Sequence, residues 1–159
     1  MSFDLYLFRF KAGEGATADK KVVLSLLQQH CKDGCDKFAT YSATLPDNSH
    51  IEVRAKGLES DEIFSSCFCS LRSFSPAVIR FVYDIAKAAD LVIFNAQGMA
   101  DDASNPMVIL TEEAQARELP KDVGSHPALC SSPEHLGQLL GIGIGTWAGH
   151  RDQVVEAHR

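Results

Sequence analysis

The sequence contains no apolar run long enough to cross a bilayer. Its longest uninterrupted hydrophobic stretches, such as residues 91–94, are far shorter than the roughly 20 residues that a membrane helix needs. Asp4 and Arg9 interrupt the apolar residues near the start, and no basic segment precedes them, so we expect no signal peptide. These absences predict a protein that works away from the membrane, in the cytoplasm.

Cysteines are few and do not form a disulfide framework. The five cysteines are an odd number without regular spacing, which favours a reducing compartment. A zinc site is one interpretation of His30, Cys31 and Cys35, with Cys67 and Cys69 on one face of a strand. However, structural zinc sites usually combine two tight ligand pairs, and free cysteines commonly pack as small hydrophobic residues. We therefore expect core packing, and neither a metal nor another cofactor.

Basic residues are absent from a long central stretch. Residues 88–116 contain five acids and neither lysine nor arginine: Asp90, Asp101, Asp102, Glu112 and Glu113. Such a stretch repels nucleic acid and anionic lipid but attracts a basic protein partner. The alternative is that the acidity serves only solubility. The lysines and arginines elsewhere in the chain are dispersed among acids and form no basic patch, so we expect no nucleic-acid binding.

Motifs for nucleotide binding are also missing. Residues 141–145 read GIGIG, but the third glycine comes one residue too early for a dinucleotide fingerprint, and no lysine follows for a phosphate loop. The preceding residues have a helical pattern. We interpret these glycines as small residues that allow close helix packing, although glycine weakens a helix and could break it here.

The pattern that is present predicts one α+β domain over residues 1–159. Alternating aromatic and aliphatic residues at 3–10 predict a well-buried strand. Further strands are expected at residues 38–44, 50–56, 63–72, 91–95 and 107–111. Helices are expected after Thr17, ending near Gly34, and after Ser75, Thr111 and Ser132.

This order of elements contains one candidate βαβ crossover, through the helix at residues 76–89. The sheet should therefore be mainly antiparallel or mixed, with about six strands and about four helices packed on it.

Two acidic groups are candidates for contact with a partner. Asp101 and Asp102 lie in the polar segment from Gly98 to Asn105, which is long for a connection between two short strands. A second group consists of Glu59, Asp61 and Glu62. Glu112 and Glu113 are less attractive candidates, because acids at a helix start already stabilise the helix dipole.

Three segments of the sequence resemble a class of bacterial proteins. These are residues 1–8 (MSFDLYLF), residues 90–95 (DLVIFN), and residues 107–115 with 118–120 (MVILTEEAQ, ELP). They resemble immunity proteins of polymorphic or type VI secretion toxins. The resemblance implies a cytoplasmic protein that binds a cognate toxin, such as a basic nuclease, and blocks its active site. It implies no catalytic residues, because the class shares none.

Two other classes of function remain open. One is a small enzyme, hydrolase-like, that uses His126, His135 or His150 with a carboxylate. The other is a regulatory domain that binds a small ligand. The absence of a recognisable catalytic motif favours a binding protein that is not an enzyme.

Overall fold

The computed structural model describes residues 2–123 and 126–158 of the chain. In chain order the strands are β1 Phe3–Phe8, β2 Phe10–Lys11, β3 Glu14–Gly15, β4 Thr40–Thr44, β5 His50–Arg54, β6 Ser66–Leu71, β7 Val92–Asn95, β8 Val108–Leu110 and β9 Ala128–Leu129. The helices are α1 Lys20–Gln28, α2 Pro76–Ala89 and α3 Pro133–Ala157, and a 3₁₀ helix covers Glu113–Glu118.

Seven strands form one sheet in the order β4-β5-β6-β1-β7-β8-β9, while β2 and β3 form a separate hairpin. All neighbours in the sheet are antiparallel except β8 and β9, which are parallel. The mainly antiparallel α+β fold is therefore confirmed.

The predicted crossover lies at the centre of this sheet. Strands β6 and β7 both pair antiparallel with β1, so they run parallel to each other on either side of it. Helix α2 connects them across one face. The strands expected at residues 38–44 and 50–56 are β4 and β5, which pair antiparallel, and Asn48 supplies the left-handed residue of the turn between them, with φ 65°.

All three α-helices pack on the same face of the sheet. Phe3, Leu5 and Leu7 of β1 are fully buried there. They belong to one apolar core that also contains Val23 and Leu27 of α1, Val78, Phe81, Val82 and Ile85 of α2, and Leu136, Leu140 and Trp147 of α3. The pairing of α1 with α2 and of α2 with α3 forms the helical layer.

Two helix starts are as predicted. Ser75 Oγ accepts a hydrogen bond from the amide of Val78, and Ser132 Oγ accepts one from the amide of His135. Each serine is followed by a proline, whose fixed φ suits the first helical turn and whose missing N–H is no loss there. Helix α3 then continues through the glycines at 141–145 without a break.

The predicted bounds of the first helix are wrong. Asp19, not Thr17, accepts the capping hydrogen bond, from the amide of Lys21. The reason is that the amide of Ala18 is held by the carbonyl of Phe64 at 2.7 Å, which keeps the chain extended until Asp19. The helix ends at Gln28, and Gly34 lies in a later turn with φ +68°.

Two further boundaries differ from the sequence prediction. The first strand ends at Phe8, because the amide of Arg9 turns to the carbonyl of Ser65 and Phe10 begins the small hairpin. The short helix is a 3₁₀ helix capped by Glu112 and not by Thr111. Glu112 and Gln115 form a reciprocal capping box there.

The second face of the sheet is only partly covered. Leu119 and Val123 pack over Val92, Val108 and Leu110 on the β7–β8 side. On the β6–β1 side, none of the helices within the described residues covers the sheet, and the side chain of Tyr6 is 39% exposed. The prediction of a well-buried strand therefore holds for Phe3, Leu5 and Leu7 and is wrong for Tyr6.

Of the helices within the described residues, none has the combination of length and apolar character that crossing a membrane requires.

Candidate partner-binding site

The acidic loop, defined as residues 98–105, connects β7 with β8 and has an ordered backbone. The amide of Gly98 donates to the carbonyl of Asn95, and the amide of Met99 donates to the carbonyl of Asn105, at 2.9 and 2.8 Å. Two turns closed by backbone hydrogen bonds follow. The amide of Asp102 donates to the carbonyl of Met99, and the amide of Asn105 donates to the carbonyl of Asp102. The loop is thus a defined structure and not an open connection.

Two buried asparagines hold the base of the acidic loop. Asn95 is fully buried, and its Oδ1 accepts from the amide of Gln97 at 2.9 Å. Asn105 is also buried, and its Nδ2 donates to the carbonyl of Gln97 at 2.9 Å. These two hydrogen bonds hold the backbone around Gln97, while Oδ1 of Asn105 has no hydrogen-bond partner among the described residues.

Glycines allow the acidic loop to pack closely. A Cβ at Gly98 would lie only 2.3 Å from the carbonyl oxygen of Pro106. On the helical side, a Cβ at Gly143 would lie 3.2 Å from Cβ of Gln97 and 3.4 Å from Nδ2 of Asn95. The interpretation of the GIGIG segment as a close-packing motif is therefore correct at Gly143. Gly141 and Gly145 face open space instead.

The two aspartates of the acidic loop have different roles. Asp102 Oδ1 accepts from the amide and the hydroxyl of Ser104, at 2.9 and 2.6 Å. These hydrogen bonds lower the pKa of Asp102, so its carboxylate stays charged at neutral pH. Asp101 is exposed, and Met99 beside it is 61% exposed. The loop therefore displays an apolar side chain next to negative charge.

The second acidic group is tied to the scaffold. Glu59 Oε2 accepts from the hydroxyl of Tyr41 at 2.5 Å and lies 3.4 Å from the thiol of Cys35. Burial, followed by the hydrogen bond to Glu59, raises the pKa of Tyr41 well above its usual range. These residues line a shallow pocket of about 270 Å³. Glu59 is therefore the hydrogen-bond acceptor of the buried Tyr41 hydroxyl.

The other two members of that group lie on a loop that a lysine organises. Lys20 Nζ donates to three carbonyl oxygens, those of Gly57, Ser60 and Glu62, at 2.8 to 3.2 Å. The Glu62 carboxylate pairs with Lys56 at 3.9 Å, and Asp61 is exposed.

The two acidic groups do not form one site. The acidic loop follows Asn95, which pairs with Leu5 near the beginning of β1. Residues 59–62 precede Ser66, which pairs with Phe8 at the other end of β1. Leu5 and Phe8 are roughly 10 Å apart along β1, and the two acidic groups lie beyond them in opposite directions along the strand.

Glu112 and Glu113 have the structural position that the sequence suggested. Glu112 caps the 3₁₀ helix and forms an ion pair with Lys87. Glu113 is the first residue of that helix and is exposed. The ion pair raises the pKa of Lys87, chiefly through the hydrogen bond to Glu112. Glu112 is therefore engaged within the fold.

The three histidines named for an enzyme are dispersed. His135 and His150 both lie on α3, about 22 Å apart along its axis. His126 precedes β9 and is exposed. His135 Nδ1 accepts from the amide of Ser131 at 3.2 Å. Within residues 2–123 and 126–158, none of the three contacts a carboxylate.

Four of the five cysteines are buried, and only Cys35 is exposed. Burial raises the pKa of Cys31 to about 11, and it also raises the pKa of Cys130. A hydrogen bond with Cys67, together with burial, raises that of Cys69. These thiols stay protonated at neutral pH, which suits core packing. In the part of the chain that the structure describes, no cluster of three or more His, Cys, Asp or Glu residues could hold a metal ion.

Sequence reasoning missed several exposed apolar side chains, among them Ile63, which is 74% exposed beside Glu62, and two further features. One is Met99, which the sequence placed in a polar loop without a role. The other is the aromatic side of β1, where Tyr6 contacts Phe68 across the strand pair, with ring centroids 4.9 Å apart. The sequence of β6 contained a signal for this open side. Ser66, Phe68 and Ser70 share one face of that strand, and two serines on one face indicate that the face meets solvent.

Comparison with known proteins adds no relative. No family model matches the chain, and no significant match is found among curated proteins or solved structures.

Proposed function

We propose that this chain is an immunity-type protein that binds a cognate secreted bacterial toxin in the cytoplasm and blocks its active site. The observation that carries the proposal is the acidic loop, an ordered loop that presents Met99 and Asp101 to solvent. The sequence resemblance to immunity proteins supplies the class of partner.

The ordered backbone of the acidic loop favours binding. A loop that is already held by Asn95 and Asn105 loses little conformational entropy when a partner docks on it. Met99 offers a flexible apolar side chain that fits irregular pockets. The combination of a fixed backbone and an adaptable anchor is suited to a protein partner.

The charge of the loop suggests the chemistry of the partner's site. In the fold, Asp90 and Glu112 pair with Arg9 and Lys87, so the attraction of this stretch for a basic surface is centred on Asp101 and Asp102 of the loop. A toxin that cleaves nucleic acid must have a basic active-site groove to hold phosphates. An acidic loop that enters such a groove would exclude the substrate by occupying its phosphate sites.

The direct test is co-expression with the product of the adjacent gene, in an active-site variant that the host cell tolerates. We expect the two proteins to co-purify as a stoichiometric complex and wild-type protein to protect cells that express the active toxin. Absence of a complex together with absence of protection would refute the proposal.

A matched pair of substitutions locates the contact in the same assay. Met99→Ser should weaken protection, because it removes the apolar anchor without changing the charge of the loop. Val155→Ser changes another exposed apolar residue, 52% exposed on α3, and should leave protection intact. Equal protection by both variants would remove Met99 from the interface.

A further inference from the structure

Asn105 is the residue to which much of the acidic loop is bonded. Its amide donates to the carbonyl of Asp102 at 3.1 Å, and its carbonyl accepts from the amide of Met99 at 2.8 Å. Its side-chain Nδ2 donates to the carbonyl of Gln97 at 2.9 Å. Three polar groups of Asn105 therefore hold the backbone of the loop, at residues 97, 99 and 102.

The remaining polar group of Asn105 is a buried acceptor without a donor. The residue is 6% exposed, and no donor in residues 2–123 and 126–158 reaches its Oδ1. This atom lies at the contact with helix α3, where a Cβ added to Gly143 would be 3.5 Å from it. An unpaired buried acceptor destabilises the folded state, so a donor placed at this point would be used.

Helix α3 meets the acidic loop at a position that has no side chain. Gly143 is buried, and a Cβ there would lie 3.2 Å from Cβ of Gln97 and 3.4 Å from Nδ2 of Asn95. The first distance is shorter than an ordinary van der Waals contact, so a methyl group at residue 143 would push the base of the loop. A Cβ at Gly141 or Gly145 would meet open space. Of these three glycines, only Gly143 sets the distance between helix and loop.

This contact connects the helix with the exposed part of the loop. Gln97 and Asn105 lie against the helix, and Asn105 bonds directly to the backbone of Met99 and Asp102. Met99 is 61% exposed, so the far end of this chain of contacts faces solvent. Closely packed groups transmit a displacement to their neighbours, because there is little free space to absorb it. A shift at Gly143 should therefore move the exposed side of the loop.

We propose that Gly143 and Asn105 are positioning residues of the acidic loop. The contact at Gly143 fixes Asn105, and Asn105 fixes where Met99 and Asp102 meet the toxin. The inference rests on the proposed function and adds to it two buried residues that determine how well the loop fits its partner. It also gives the unpaired oxygen of Asn105 a use, because a hydroxyl at residue 143 could donate to it.

The first measurement needs no toxin and compares backbone amide chemical shifts in wild type, Gly143→Ala and Gly145→Ala. Both substitutions add one methyl group to the same helix and remove the same glycine penalty, but only the methyl group at residue 143 meets the loop. We expect the amides of Gln97, Met99 and Asp102 to shift in Gly143→Ala and to keep their wild-type shifts in Gly145→Ala. Unshifted loop amides in Gly143→Ala, or equal shifts in both variants, would overturn the inference.

The second measurement is the Kd of the complex with the adjacent gene's product, determined by calorimetry. Gly143→Ala should raise Kd about fivefold, within the range for residues that influence a site without touching the ligand. Gly145→Ala should leave Kd unchanged. Thermal melting of both variants accompanies the titrations, since a purely structural role for Gly143 would lower its melting temperature and leave Kd of the folded protein unchanged. That result would contradict the proposed positioning role.

Gly143→Ser separates a steric effect from the role of Asn105. Serine is larger than alanine by one oxygen, and its hydroxyl starts within hydrogen-bonding reach of the unpaired Oδ1. We therefore expect its Kd to lie between the values of wild type and Gly143→Ala. A Kd equal to or higher than that of Gly143→Ala would show that the oxygen of Asn105 plays no part, and would overturn the role of Asn105.

A pair of variants on the loop side keeps the test decisive if changes at residue 143 prevent folding. Gln97→Gly removes the Cβ that lies against Gly143, whereas Gln97→Ala keeps it and removes only the rest of an exposed side chain. Gln97→Gly should raise Kd about threefold, and Gln97→Ala should bind like wild type. Wild-type Kd in Gln97→Gly would overturn the inference and leave the proposed function standing. Absence of binding by wild-type protein would overturn the proposed function, and the amide shifts of the folded variants would still decide whether Gly143 positions the loop.

Discussion

At the residue scale, the acidic loop depends on one closely packed glycine and two buried asparagines. Gly98 faces the carbonyl of Pro106, and the amides of Asn95 and Asn105 are used within the loop. The sequence indicated the loop and its acids but not these supports, because an asparagine in a polar segment looks the same whether it is buried or exposed. Only the packing of α3 against the loop shows that Asn105 is buried.

Gly98→Ala is expected to destabilise the protein by about 1–3 kcal/mol, the usual cost of forcing extra atoms into a packed site. The added Cβ would lie 2.3 Å from a backbone oxygen, so the loop itself must move. Chemical denaturation measures the change. Gly145→Ala is the control: its Cβ meets open space on α3, and alanine should stabilise the helix by up to about 1 kcal/mol. Equal stability of wild type and Gly98→Ala would mean that the loop is not packed as described.

At the element scale, local signals were sufficient where capping chemistry is unambiguous. The Ser-Pro pairs at 75–76 and 132–133 identified two helix starts because serine caps and proline suits the first turn. Thr17 and Asp19 are both good caps, and a long-range hydrogen bond from Ala18 to Phe64 decides between them. No pattern within the helix contains that information. The continuity of α3 through its glycines likewise depends on its contacts with the rest of the fold.

Trp147 is the contact that holds α3 to the sheet. Its ring lies 5.2 Å from that of Phe74 and 6.5 Å from that of Phe3, and it is 5% exposed. Trp147→Ala should therefore cost roughly 3–5 kcal/mol of unfolding free energy. Trp147→Phe should cost less unfolding free energy, because phenylalanine keeps an aromatic ring. The indole Nε1 that is lost has no hydrogen-bond partner among the described residues. Thermal melting of both variants is the measurement. A Trp147→Ala variant that melts within a degree or two of wild type would contradict this account of α3.

At the scale of the whole molecule, the sequence predicted the fold class but not which face of the sheet stays open. In β1, Phe3, Leu5 and Leu7 lie on one side and Asp4, Tyr6 and Phe8 on the other, so a single charge at the start of the second side is the only polar signal and two aromatic residues outweigh it. The answer depends on all three α-helices packing on one side, which is a property of the topology. The same topology places the two acidic groups at opposite ends of β1, although the sequence treats them as equivalent candidates.

The central claim is that the acidic loop attracts and contacts a basic toxin, and its most direct test is the association rate constant as a function of ionic strength. Asp101→Lys is the informative variant, because Asp101 is exposed, whereas Asp102 is half-buried and accepts the hydrogen bonds from Ser104 that shape the loop. Electrostatic attraction acts mainly on the rate of association, so Asp101→Lys should bind about tenfold more slowly at low salt and show a flatter salt dependence. Glu113→Lys, an equal charge change at an exposed helix start, should have a smaller effect. Wild-type rates for Asp101→Lys at every salt concentration would contradict the claim and direct the search to Glu59, Asp61 and Glu62.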